Sequence, residues 1–351
     1  MPKPHLIVLL LAAAGSAPSL SAQDSTAQSS AFAGFENLPD VGRYLAYFTG
    51  PARTRMAEWL ARGSQYRPAI ESKLTRAGLP SEFAYLPIIE SGFSNSAVSR
   101  AGAVGMWQLM PKTARELGLR VDPWIDERRD PTRATDAAVR HIGDLTRTFG
   151  SPLLAAAAYN GGAGRVSRGL QKISTANPDF FALADRGLLP KETRNYVPQL
   201  LAAAAIGRNP GRFGFSVPAL PAPHSDSVLI DRPIRLATAD RALGLDQLTL
   251  AELNPQFFRG VTPPGGSWLK IPTGLGNRVA ERLGGLAPVA VERGPAPRSD
   301  RLGAIVWVKR GDTVSDLATR HGVSETRLRR LNALPTWYRL KPGQALRLPG
   351  A

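Results

Sequence analysis

The chain has 351 residues, 43% of them hydrophobic, and a net charge of +16 from 44 Lys and Arg against 28 Asp and Glu. That length exceeds one small core and suits two or three domains. With no cysteine and only His5, His141, His224 and His321, far apart, the chain has no disulfide, thiolate zinc site, cysteine nucleophile or acylatable cysteine, and no expected metal or cofactor. The positive charge suits a polyanionic partner, an anionic cell wall or membrane surface ahead of nucleic acid, or simply tracks an Arg-rich composition.

Residues 1–22 read as an export signal: Lys3 and His5 precede the apolar run Leu6 to Ala14, and small residues follow. The run is too short to span a membrane, so export to the periplasm or cell envelope is expected. Residues 23–39 read as a disordered linker.

From 40 to 212 the pattern is all-α. Apolar residues recur at helical spacing at Tyr44, Leu45, Tyr47 and Phe48, then Met56, Trp59 and Leu60, then Ile70 and Leu74. A helix enters at Pro80-Ser81-Glu82. Another starts with Ser151 as N-cap and Pro152 at its first position, and Asn160-Gly161-Gly162 stops it. A third runs from about Lys191 to Ile206, ended by Asn209-Pro210-Gly211. The run Gly161 to Arg165 lacks the GxxxxGK[ST] spacing of a phosphate loop and reads as a C-cap and turn.

Pro218, Pro221 and Pro223 mark a linker, and a second lies at 286–302 around Gly294-Pro295-Ala296-Pro297. The flanked segments, 228–275 and 303–349, repeat at an offset of 78. Gly322, Leu328, Leu331, Asn332, Pro342 and Gly343 fall on Gly244, Leu250, Leu253, Asn254, Pro264 and Gly265. In the second copy a strand at Ile305 to Lys309 precedes the capping box Thr313-Val314-Ser315-Asp316. Gly322 stops that helix, Ser324 caps the next, and Gln344 to Leu348 closes a small α+β (βααβ) module.

Glu90 stands out. Phe83, Leu86 and Pro87 share its helical face, so a carboxylate occupies a position where the pattern calls for a hydrophobe. Burial disfavours the charged form, and a carboxyl in an apolar pocket stays protonated to about pH 6, as a general acid for glycosidic cleavage requires. No Asp or Glu lies between Glu90 and Glu116, so the local segment offers no second carboxylate, although a distant one is free to fold into place.

Glu90, with Ser99 nine positions on and Gln108 eighteen on, Ala158-Tyr159-Asn160, and Glu192 through Val197, resembles the signature of the soluble lytic transglycosylase family over 85–200. The resemblance implies a lysozyme-like fold and cleavage of the β-1,4 bond between N-acetylmuramic acid and N-acetylglucosamine. Glu90 would act as acid and then base, closing a 1,6-anhydro ring. Ser99 would bond Glu90 or the substrate acetamido group, Gln108 and Asn160 sugar hydroxyls or amides, and Met106 a sugar face. Tyr159 and Tyr196 would orient the transition state, and Trp107 would be core. A local turn at Ser99, a helix end at Tyr159 and Asn160, and plain packing at Tyr196 are the competing readings.

The C-terminal module resembles LysM, through Lys309-Arg310-Gly311-Asp312-Thr313 and Lys341-Pro342-Gly343-Gln344. That likeness implies binding of N-acetylglucosamine-containing glycans, with Gly311, Asp312, Thr313, Asn332 and Leu334 as contacts. The copy at 228–275 lacks a Gly-Asp-Thr turn and reads as degenerate, either spacer or binder. The expected partner is the peptidoglycan glycan strand, met by a monomer with peripheral wall or membrane association and no nucleic acid. Two alternatives remain: a goose-type lysozyme hydrolysing the same bond, and a catalytically silent wall-binding protein.

Overall fold

The computed structural model describes residues 32, 34–174, 178–220, 224–286, 305–309, 311–332, 334, 340 and 345–348. The chain divides into two units, 1–292 and 293–351. The signal expected at 1–22 and the turn at 341–344 lie outside the described residues.

The first unit opens with α1 (Pro39–Thr49), α2 (Arg53–Gly63) and α3 (Arg67–Arg76). A 3-10 turn, Ser81–Tyr85, leads into α4 (Leu86–Ser91) and, after a long loop, α5 (Pro111–Glu116). Then come α6 (Pro131–Phe149), α7 (Pro152–Gly161), α8 (Ala163–Gln171), α9 (Phe180–Asp185) and α10 (Lys191–Arg208).

Local chemistry sets the boundaries. Asp130 caps α6 by accepting the Thr132 and Arg133 amides, and Gly150 ends that helix in the left-handed conformation. Ser151 caps α7 through Leu154 N–H, as its sequence predicts. Gly162 stops α7 at φ 86°, and Arg165 turns back to donate to the Gly161 carbonyl at 2.7 Å. The expected cap and turn are therefore present, but α8 starts at once.

The core runs through α7 and α10. Leu153 to Ala158 are all buried, as are Leu200 to Ile206, because their Ala-rich faces let the helices approach closely. No described helix is long and apolar enough to cross a membrane.

One expectation is corrected at the entry to this domain. Phe32, placed by sequence in a disordered linker, is 2% exposed and meets Phe83 edge-on at 5.2 Å. Phe35 packs on Phe181, and Glu36 pairs with Arg208 at 3.8 Å. Burying the Phe32 ring contributes roughly 1.5–3 kcal/mol toward ordering this segment. Composition did not reveal the segment because its two aromatic anchors are few among small residues.

The middle module is a βααβ unit: β1 (Ser225–Ile230), α11 (Leu236–Leu243), α12 (Thr249–Leu253) and β2 (Ser267–Pro272), followed by α13 (Gly276–Gly284). The strands pair antiparallel with Ser227 opposite Lys270 and Leu229 opposite Trp268. Val228, Ile230, Leu269 and Ile271 point into its core. Ile125, from the loop before α6, belongs to the same core, with Trp124 packed against it. Lys270 pairs with Asp130 at 2.8 Å, and Asp126 N–H donates to the Gln256 carbonyl at 3.0 Å. The module is thus anchored on the helical domain.

The second unit repeats the topology with β3 (Ile305–Trp307), α14 (Val314–Arg320), α15 (Glu325–Leu331) and β4 (Ala345–Arg347). Thr313 and Asp316 form the expected capping box. Gly244 and Gly322, equivalent in the repeat, both end their helices at positive φ. The architecture is therefore a mostly helical domain followed by small βααβ modules.

Candidate active site

Glu90 lies in the last turn of α4, behind the fully buried Leu86 and Ile88. Gly92 ends that helix at φ 59°, and a Cβ there would come within 2.2 Å of the Trp59 indole nitrogen. Only glycine fits both constraints. Arg62 bonds the Gly92 carbonyl from α2.

Across from Glu90, on α10, the Tyr196 hydroxyl donates to Glu90 Oε1 at 2.5 Å. Burial pushes the Glu90 carboxyl up to about 7, the Tyr196 bond pulls it down, and the negative charge of Glu192 adds to the rise. The acid is therefore partly protonated at neutral pH. Tyr159 and Tyr196 are both held well above the usual phenol range, by burial first and by Glu90 second, so both remain neutral hydrogen-bond donors.

The loop from Gly92 to Met110 is fixed by its own polar groups. Ser91 Oγ donates to the Met106 carbonyl at 3.0 Å, and Tyr159 donates to the Trp107 carbonyl at 2.7 Å. Trp107 is fully buried, its indole donating to Thr135 Oγ1 at 3.0 Å. Its assignment to the core agrees with this placement. Gly105, at φ 82°, leaves the Arg128 carbonyl only 1.8 Å from where a Cβ would sit. Arg128, paired with Asp126 at 2.8 Å, donates to the Gly102 and Leu109 carbonyls.

Several expected contacts land differently. Met106 is 0% exposed, so its side chain has no surface to lay against a sugar, because the loop turns it into the core. Ser99 Oγ accepts Ala103 N–H at 3.0 Å, which is the local turn; among the described residues it makes no bond to Glu90. Gln108 sits at φ 48° and spends its amide N–H groups on the Gly105 and Ala97 carbonyls, leaving its carbonyl oxygen available. Asn160 accepts from Thr193 Oγ1 at 2.9 Å and donates to Glu192 Oε1 at 3.4 Å.

Glu192 is the site residue that the sequence did not single out. It opens the Glu-Thr-Arg-Asn-Tyr-Val element but gains significance only because α10 crosses α7 and α4. Its charge reaches Glu90, and its Oε1 accepts from Asn160. A cavity of about 350 Å³ is lined by Tyr44, Tyr47, Phe48, Trp59, Ile89 and Gln199, with Ile89 on the same helix as Glu90. Its aromatic walls offer flat apolar faces of the kind that sugar rings stack on.

In the C-terminal module the expected glycan contacts are largely structural. Leu334 is 6% exposed within the module core and is corrected to a packing residue. Asn332 Nδ2 donates to the Leu328 carbonyl, repeating the bond that buried Asn254 makes to Leu250. Asp312 accepts Lys309 N–H and pairs with Arg320 at 3.0 Å, which lowers its carboxyl. Thr313 is the helix cap, and Gly311 takes a turn at φ 93°.

The Transglycosylase SLT domain family matches residues 67–179, a span containing Glu90, and the LysM domain family matches 307–349. The chain is 33% identical over 292 residues to the membrane-bound lytic murein transglycosylase D of Escherichia coli strain K12, covering 81% of this chain and 63% of that one. The chain thus carries a transglycosylase SLT domain at 67–179 and a LysM domain at 307–349. It is also 38% identical over 117 residues to the peptidoglycan transglycosylase gp16 of Escherichia phage T7, covering 33% of this chain and 8% of the relative. A solved lytic transglycosylase Slt from Pseudomonas aeruginosa aligns at 27% identity over 42% of this chain and 24% of its own, with a TM-score of 0.36. The chain spans 63% of the length of the curated Escherichia coli relatives it matches.

Proposed function

We propose that this chain, which carries an SLT domain, is an exported peptidoglycan lytic transglycosylase. It cleaves the β-1,4 bond between N-acetylmuramic acid and N-acetylglucosamine. The observation that carries this reading is the half-buried Glu90 carboxyl, raised to about 7 and held by Tyr196 at 2.5 Å. The names of the relatives supply the substrate class.

In the first step protonated Glu90 gives its proton to the glycosidic oxygen, and the bond from that oxygen to the muramyl C1 breaks. The substrate's acetamido oxygen closes on C1 as the leaving sugar departs. Glu90, now a carboxylate steadied by Tyr196, takes the proton of the muramyl 6-hydroxyl. O6 displaces the acetamido oxygen at C1, closing the 1,6-anhydro ring and returning the proton to Glu90. The nucleophile is the muramyl O6 itself, so no water is consumed, and one residue serves as acid and base.

The LysM module, with its turn at Gly311 to Thr313, tethers the enzyme to murein. A short linker then keeps the catalytic domain near its strand at about millimolar effective concentration. Mass spectrometry of murein digested by the purified chain tests the reading. Glycan ends carrying 1,6-anhydro rings are expected, and reducing ends would assign hydrolysis, with Glu192 as the second carboxylate. Murein left intact by the chain would overturn the enzyme reading in favour of a wall-binding protein.

A further inference from the structure

A second cavity, of about 230 Å³, opens where the middle module meets the helical domain. Its walls come from the outward face of the sheet (Ser227, Trp268 and Lys270), from Gln256, and from Glu127 and Thr132 beside the start of α6. The inward face of that sheet is the module core, so this is not a groove between the module's own loops.

Two features of the wall are unexplained by folding. Trp268 is 43% exposed, an indole left on the surface at the rim. Gln256 is 5% exposed, yet its Oε1 is buried with no hydrogen-bond partner among the described residues. Its orientation is dictated from behind. Asn254 Oδ1 accepts Lys270 N–H at 2.8 Å while Asn254 Nδ2 donates to the Lys270 carbonyl at 2.7 Å, so Asn254 cannot be turned over. Asn254 therefore offers an acceptor, Gln256 Nε2 donates to it at 3.2 Å, and Gln256 Oε1 faces the other way. A buried acceptor without a donor is costly, by about 1–3 kcal/mol, and Gln256 itself lines the cavity.

Charge narrows the ligand class. Lys270 is neutralised by Asp130, and Glu127 is paired with Arg133 at 3.3 Å. The wall thus carries no unbalanced charge for a phosphate or carboxylate. What it offers is an aromatic face, the amide-bearing Gln256, and the hydroxyl-bearing Ser227, Ser267 and Thr132. An N-acetylated hexosamine presents the complement: a flat C–H face for an indole, and hydroxyl and amide donors.

Resting on the transglycosylase reading for the choice of glycan, we propose that this cavity is a non-catalytic subsite for a neutral N-acetylhexosamine. The middle module would then be neither spacer nor free-standing binder. It would complete a sugar site jointly with the helical domain and grip a strand apart from Glu90.

The test uses the full chain carrying Glu90→Gln, so that no ligand is cut, with ¹⁵N-labelled tryptophan indoles. Comparison with Trp268→Phe identifies the Trp268 signal. Titration with triacetylchitotriose is expected to move that signal, and inorganic phosphate is expected to leave it in place. Gln256→Leu should weaken the titration by roughly five- to tenfold, the worth of about one hydrogen bond. A Trp268 signal unmoved by the sugar, moved only by phosphate, or titrating identically in Gln256→Leu would overturn the proposal. Product analysis of the unsubstituted chain reports separately on Glu90, so the two readings fail independently.

Discussion

The Tyr196 hydroxyl sits 2.5 Å from Glu90 Oε1 and donates to it, coupling α10 to the end of α4. A donor favours the ionised carboxylate, so the bond opposes the burial that raises the acid. Glu90 is thus balanced between two states, as a residue that must first give and then take a proton requires.

Tyr196→Phe removes that donor. Glu90 should then titrate higher, and the alkaline limb of the pH–rate profile, near pH 7 in the parent, should move up. Turnover should fall by roughly 10- to 100-fold, because a hydrogen bond to a charged group is worth about 1.5–3 kcal/mol. Initial rates on purified murein between pH 4 and 9 check both expectations.

Glu192→Gln should act in the opposite direction. Its negative charge raises Glu90, so its loss lowers Glu90 and brings the alkaline limb to lower pH. The same profiles measure it. A limb that rises instead would remove Glu192 from the electrostatics of the site.

Glu90→Gln should cost at least about 10²-fold in turnover, within the range typical of general acid catalysis, while murein binding persists. It should also change the pH dependence of stability. The folded carboxyl titrates near 7 against about 4.5 as a free group, so its contribution is intact below pH 4.5 and is lost as pH rises through 7. Glutamine never charges. The variant should therefore match the parent at pH 4 and exceed it at pH 8, by up to an order of 3 kcal/mol. Thermal melts across that range read the difference.

Gly105→Ala and Gly102→Ala form a controlled pair, since both glycines have φ above 80°. At Gly105 the added carbon meets the Arg128 carbonyl, whereas at Gly102 nothing lies within 4 Å. The first should cost at least about 3 kcal/mol, and the second only about 1–2 kcal/mol of backbone strain. Urea unfolding of the two variants measures the contrast.

Much of the fold was legible because its signals are local. Ser151, Gly162 and the Thr313–Asp316 box act on their own helix ends, and the offset of 78 exposed a repeat whose two copies share βααβ topology. Other motif residues take structural positions that their sequence did not reveal. Met106 and Leu334 lie in cores, while Ser99 and Asn332 bond their own backbone neighbours. A motif residue that shapes a loop and one that touches a substrate look alike in a sequence.

The sequence by itself determined that Glu90 ends an apolar helix face, that the helical region precedes two similar modules, and that no thiol chemistry is present. These follow from periodicity, capping and composition, which act within a few residues or need no geometry. Tertiary structure alone decided how burial first, then Tyr196 and Glu192, set the Glu90 carboxyl, and that Trp124 and Ile125 fasten the middle module to the helical domain. Charge, hydrogen bonding and burial act through space, and the residues that tune Glu90 from α10 lie about a hundred positions away along the chain.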